Sequence, residues 1–265
     1  MNRPIIEFRG VSFGYGSTDT VLRDCSVSLE RGSFVVLLGP SGCGKSTLLR
    51  LAAGFLRPRT GSVHFDGKEI LAPDRRRILI FQEQDQLFPW SRLLANTALP
   101  LLWGSDRCSR SEAENRARDA LSQVGLADNL GAFPHQMSGG MKQRAVLARA
   151  LAVGAEVLLL DEPFASLDAL SRESLQETLV DAWARHGSTV LFVTHDIREA
   201  VRIGGELWFL HNAGQSGQIE RIRLPGGSPQ GGSPQGGSPQ GGALRDLDTP
   251  EAISVVKSIR ERLTR

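Results

Sequence analysis

Apolar residues along this chain of 265 residues fall into runs of two kinds. Four short runs are continuous rather than alternating: Phe34 to Leu38 (FVVLL), Ile78 to Phe81 (ILIF), Val157 to Leu160 (VLLL) and Val190 to Val193 (VLFV). Runs of this length predict strands buried on both faces, as in a parallel sheet covered by helices. Each is followed at once by polar or glycine-rich sequence: GPSGCGKST, QEQDQ, DEP and THD. Ligands bind outside the carboxyl ends of the strands in open α/β sheets. The four coincidences therefore place Lys45, Gln82, Asp161 with Glu162, and His195 along one edge of one sheet.

The second kind of run has helical period. Ser111 and Glu114 have capping-box spacing, and Ala113, Ala117, Ala120, Leu121 and Val124 form a stripe ending at Gly125. A helix is predicted over Ala169 to His186, with Leu175, Leu179 and Trp183 inward and Gly187 as its stop. Another is predicted from Thr249 as cap and Pro250 as first residue, with Ile253, Val256, Ile259 and Leu263 on the face that docks on the main body. The first seventy residues lean towards β, with turns at GYGS and FDGK. Gly226 to Gly242 repeats GGSPQ and reads as a flexible linker spanning roughly 20–25 Å end to end.

Composition narrows the class without naming the chemistry. Apolar content of 40% and charged content of 23% are those of a soluble globular protein, and a net charge of +2 gives no reason to expect nucleic acid as a partner. Three cysteines (Cys25, Cys43, Cys108) show neither metal-ligand spacing nor a disulfide framework. No segment has the eighteen or so apolar residues of a membrane helix, so a reducing cytosolic setting is expected.

The chemistry begins at Gly39 to Ser46, GPSGCGKS, a full match to the phosphate-loop pattern. Glycines in such a loop let backbone N–H groups close on phosphate oxygens, while Lys45 reaches the terminal phosphates and the Ser46 hydroxyl suits Mg²⁺. After VLLL, Asp161 offers a hard oxygen to Mg²⁺ and Glu162 a base for water. His195 is placed to contact a γ-phosphate or the attacking water, and Gln82 to hold a second Mg²⁺ or water ligand. A second anion site is predicted at MSGGMKQRAVLARAL, where Ser138 is the N-cap of a helix with Met141, Ala145, Ala148 and Ala152 at helical spacing.

GPSGCGKST, Phe81–Gln82, MSGGMKQR, LLLDEPFASLD and VTHD, in that order, resemble an ATP-binding-cassette (ABC) ATPase over roughly residues 5 to 224. The style of QLFPW and SGGMKQR is similar to importer subunits serving nitrate, sulfonates and taurine. The resemblance implies an α/β fold. A phosphate-loop (RecA-like) core with a parallel sheet would carry an N-terminal antiparallel β subdomain and an α-helical subdomain inserted at about 88–150. The cassette would span 1–224, a linker 225–242 and a C-terminal helix 243–265.

It also implies ATP and Mg²⁺ as cofactors and a head-to-tail dimer, with itself or with a similar cassette, in which Ser138, Gly139 and Gly140 contact the partner's γ-phosphate. The nucleotide-binding set becomes Gly39, Pro40, Ser41, Gly42, Cys43, Gly44, Lys45, Ser46 and Thr47, with Tyr15 on adenine and Asp168 communicating across the dimer. Gln82 through Trp90 would sense nucleotide and face integral membrane permease subunits. For Tyr15, Phe88 and Trp90, plain packing is the competing reading. An extracytoplasmic solute-binding protein would act indirectly, and the chain would lie peripherally on the cytoplasmic face of the inner membrane. Met137 and Met141 depart from the commonest signature, LSGGQ. An exporter cassette and a soluble ABC ATPase acting on nucleic acid are the alternatives, and the transported solute is not legible.

Overall fold

The runs that are apolar at every position become strands with a core on each side. The computed structural model describes residues 3–16, 19–82, 86–103, 107–211, 219–224 and 244–263, so the GGSPQ repeat lies outside the described residues. In chain order the elements are β1 (Pro4–Phe13), β2 (Leu22–Glu30), β3 (Phe34–Leu38), α1 (Lys45–Ala53), β4 (Thr60–Phe65), β5 (Lys68–Glu69) and β6 (Arg77–Ile80). There follow α2 (Leu93–Ala98), α3 (Arg110–Gln123), α4 (Gly139–Val153), β7 (Val157–Asp161), α5 (Ala169–His186), β8 (Thr189–Val193), α6 (Ile197–Ile203), β9 (Glu206–Leu210), β10 (Ile219–Arg223) and α7 (Pro250–Leu263).

Six strands form one sheet in the order β10-β9-β3-β8-β7-β6, parallel except for β10. Four form an antiparallel sheet in the order β2-β1-β4-β5, closed at FDGK by a turn with positive φ at both Asp66 (49°) and Gly67 (76°). Alternate residues of β3 serve opposite faces of the parallel sheet. Phe34, Val36 and Leu38 enter a core shared with the helices from α2 to α7, whereas Val35 and Leu37 enter one shared with α1 and the antiparallel sheet. Two-sided burial is why these strands read as unbroken apolar runs.

Three local expectations are corrected. Phe81 ends outside β6, because the Gln86 side chain engages both its backbone groups: Phe81 N–H donates to Gln86 Oε1 (3.2 Å) and Gln86 Nε2 donates to Phe81 O (2.8 Å). The helix with the Ala113 stripe is capped by Ser109, not Ser111; Ser109 Oγ accepts from Glu112 N–H (3.2 Å), and Glu114 pairs instead with Arg110 one turn earlier (3.0 Å). In α7 the docked face is Ala252, Val256 and Ile259, while Ile253 is 56% exposed. Thr249 does cap this helix, accepting from Ala252 N–H at 3.3 Å. Arg245, just ahead of α7, donates to the carbonyls of Val201 (2.9 Å) and Gly204, which fastens this segment to the carboxyl end of α6.

Asn96 holds together the stretch that leads from β6 into the helices. Fully buried, it accepts from Phe88 N–H (2.7 Å) and donates to the carbonyls of Phe88 (3.0 Å) and Ser91 (2.8 Å). Asn96→Ala strips Phe88 N–H and Ser91 C=O of this partner, at about 1–3 kcal/mol for each that stays dry, while Phe88 C=O keeps the Ser91 N–H (3.1 Å). We expect a loss of about 3 kcal/mol in urea unfolding. A loss under about 1 kcal/mol would mean that water replaces the amide.

Candidate active site

The phosphate loop joins β3 to α1, and its conformation needs glycine at two places for different reasons. At Gly44, the residue before α1, φ is +109°, open only to glycine. At Gly39 a Cβ would stand 2.5 Å from the Leu210 carbonyl oxygen and 2.8 Å from Cys43 Sγ, so the obstacle is close packing against β9. Pro40 is half-buried, and Ser41 and Gly42 are exposed at the rim. Lys45 is buried and its Nζ donates to the carbonyls of Gly39 (2.8 Å) and Pro40 (2.8 Å), which holds the ammonium inside the loop. Burial raises the pKa of Cys43, leaving it a neutral wall.

Ser46 and Asp161 come from different strand–helix units and meet at 3.0 Å, hydroxyl donating to carboxylate. Burial pushes the Asp161 carboxyl above its ordinary range, against the pull of the Ser46 hydrogen bond and of Arg50 and Lys45. Two hard oxygen donors side by side, one an incompletely compensated buried carboxylate, fit a small divalent cation such as Mg²⁺.

Glu162 leaves β7 with φ +46°, a conformation that costs a non-glycine residue of order 1–3 kcal/mol. Its N–H still reaches Val193 O at the end of β8 (3.1 Å), and the kink turns its side chain to His195, with Nδ1 to Oε2 2.8 Å. His195 itself is exposed. β8 lies between β3 and β7 in the sheet, so His195, Glu162, Asp161 and the phosphate loop share its carboxyl edge, and exposed Gln82 follows β6 at the far end. The Tyr15 ring is 60% exposed, packs edge-on to Phe13 (5.1 Å) and hydrogen-bonds through its hydroxyl to Thr47 Oγ1 (3.0 Å), so an open aromatic face stands beside the loop.

Ser138 and Asp168 each serve as a helix cap. Ser138 Oγ accepts from Met141 N–H (3.3 Å) at the start of α4, and Asp168 accepts from Ser171 N–H (3.0 Å) at the start of α5, hydrogen bonds that lower its pKa. Ser138 is exposed, Gly139 half-buried, and Gly140 packs on α5, where a Cβ would touch the Ser171 side chain at 3.5 Å. Trp90 is 75% exposed, which rules out core packing for it, although Phe88 lies against it at 5.4 Å.

Sequence reasoning missed the groups behind Glu162 and His195. Arg172, Thr194, Asp196 and Glu199 line a cavity of about 40 Å³ with them. A signal existed for Glu199: it stands one turn before buried Ile203, a charge on the inward face of α6.

Residues 22–165 match the family model described as "ABC transporter". The chain is 42% identical to the bicarbonate transport ATP-binding protein CmpD of Synechocystis sp., over 80% of this chain and 74% of that protein. It is 45% identical to the taurine import ATP-binding protein TauB of Chromobacterium violaceum, over 79% of each. Among solved structures it is similar to a dimeric post-hydrolysis state of the ATP-binding cassette MJ0796 bound to ADP and Pi, with TM-score 0.70 and 30% identity, covering 83% of this chain and 99% of that one. With its phosphate loop, its strand-end carboxylates and these likenesses, the chain belongs to the ABC transporter family, as an ATP-binding cassette.

Proposed function

We propose that the chain is the ATP-hydrolysing subunit of an importer for a small solute such as nitrate, a sulfonate or taurine, working as a head-to-tail dimer on membrane permease subunits. A peripheral place on the cytoplasmic face of the inner membrane follows from that role; no helix among the described residues is long and apolar enough to cross a membrane. In this reading an extracytoplasmic solute-binding protein delivers the solute to the permease.

Each site residue then has a task. The loop amides from Gly39 to Thr47 and Lys45 bind the phosphates, and Tyr15 stacks on adenine. Ser46 and Asp161, with Gln82, hold Mg²⁺, which neutralises charge on the phosphates when bound. Glu162 takes a proton from the attacking water, and His195 orients the Glu162 carboxylate and the γ-phosphate. The observation that carries the dimer is the start of α4: an exposed serine cap and bare helix N–H groups, an anion site with no anionic residue in the first turn. Ser138, Gly139 and Gly140 close on the partner's γ-phosphate, and Asp168, the cap of the helix on which Gly140 packs, reaches across the interface. Exposed Trp90 marks the permease side.

Ser138→Asp tests this directly. Aspartate caps a helix as well as serine does, so the fold stays, while a carboxylate now faces the partner's phosphate. We expect unchanged ATP binding by the monomer, loss of ATP-driven dimerisation by scattering, and hydrolysis at least tenfold slower, about 1.4 kcal/mol. Normal dimerisation would overturn the head-to-tail reading. With permease subunits in vesicles, phosphate release should rise only with the cognate solute on its binding protein.

A further inference from the structure

Among the described residues, the helix that follows His195 is joined to α5 by one buried polar contact. Gln176 Nε2 on α5 donates to Glu199 Oε1 on α6 at 3.0 Å, with the two residues 3% and 8% exposed. Two further links join the same helices: Arg202 to Glu173 (2.8 Å), with Glu173 54% exposed, and Arg172 to Asp196, stretched to 4.0 Å. Exposed or long pairs of that kind contribute little, so the buried bond is the strongest polar link between α6 and α5, beside the apolar burial of Ala200, Val201 and Ile203. Glu199 is also fixed from its own side, its N–H donating to Asp196 Oδ1 (3.2 Å), and the nearby Thr194 hydroxyl favours its charged form. Thr194 and Asp196 flank His195 in sequence, and Glu199 lines the same small cavity as Glu162 and His195.

The other end of the linkage reaches the start of α4. Gly140 packs on Ser171 and Leu175 of α5, and Arg144 of α4 donates to Ser174 of α5 at 2.7 Å. One face of α5 thus receives the Ser138 helix while Gln176 holds the His195 helix. Resting on the assignment of hydrolysis to Glu162 and His195, we infer that Glu199 is a positioning residue for hydrolysis, setting His195 against Glu162 through its buried bond to Gln176 and so linking that pair to α5 and the Ser138 end of α4. Nothing in this role requires contact with nucleotide.

A displacement of about 1 Å in a reacting group is enough to cost up to about 10²-fold in rate. Glu199→Ala and Gln176→Ala should each lower kcat about 10–100-fold in the full-length chain, with ATP affinity and ATP-driven dimerisation unchanged. A glutamine oxygen at position 199 is able to accept from Gln176 Nε2 as Glu199 Oε1 does at 3.0 Å, so the bond survives that exchange. Glu199→Gln should therefore keep kcat within about threefold, or 0.65 kcal/mol. The double exchange Gln176→Glu with Glu199→Gln, which reverses the pair, should recover most of the rate lost in Gln176→Ala. Wild-type kcat in both alanine variants overturns the inference. So does a rate loss matched by an equal fall in the folded fraction, read by circular dichroism at the assay temperature, since a merely structural bond does that. Glu162→Gln is assayed alongside: if it is inactive while Glu199→Ala is normal, only this inference fails. If Glu162→Gln itself turns over normally, the assignment beneath it fails instead.

Discussion

Glu162→Gln should hydrolyse ATP about 10²–10⁴-fold more slowly than the wild type, the range in which a positioned general base contributes. The amide keeps the shape of the side chain, and its oxygen is able to accept from His195 as Oε2 does at 2.8 Å. What it loses is the capacity to take a proton from water. ATP binding should persist, because Lys45 and the loop amides come from another strand–helix unit, and an ATP-bound dimer should accumulate. Phosphate release and scattering, measured on one preparation, check both halves. Turnover at the wild-type rate would falsify the assignment of Glu162 as base.

Lys45→Ala should fail one step earlier. The Lys45 ammonium is buried and bonded to the Gly39 and Pro40 carbonyls, so the loop already orients the charge that, in the proposed role, hydrogen-bonds to phosphate oxygens. Hydrogen bonds to a charged group are worth about 1.5–3 kcal/mol. Their loss should weaken ATP binding about 10–150-fold by calorimetry, and neither hydrolysis nor ATP-driven dimerisation should be seen at ATP concentrations that saturate the wild type. The contrast separates the variants: Glu162→Gln traps a nucleotide-bound dimer, and Lys45→Ala never forms one. Equal ATP affinity in wild type and Lys45→Ala would place the phosphates elsewhere.

Much of this layout is legible in the residues, and the reasons are physical. A strand buried on both faces has no polar alternation to blur it, so FVVLL, VLLL and VLFV are found with their ends almost in place. Phe81 escaped because a side chain five residues away competes for its backbone groups, a contact that no local pattern encodes. The Ser111 cap failed for a related reason: two serines stand near one helix start, and which one caps depends on where the chain enters the bundle. In α7 a face drawn through the large apolar residues takes in Ile253, whereas docking follows the face that α6 offers, which carries Ala252 instead. At the site, residue types at strand ends named Asp161, Glu162 and His195. Their mutual distances, the left-handed turn at Glu162 and the Gln176–Glu199 bond arise from packing between segments far apart in the chain.

The positive φ at Glu162 carries an evolutionary cost. Glycine would relax this position and asparagine would ease it, so the carboxylate is kept there against the interest of the fold. A laboratory selection for heat resistance alone, blind to turnover, would be drawn towards replacing this residue and would return sturdier, idle proteins. Thermostable variants of this chain are best sought with position 162 held constant.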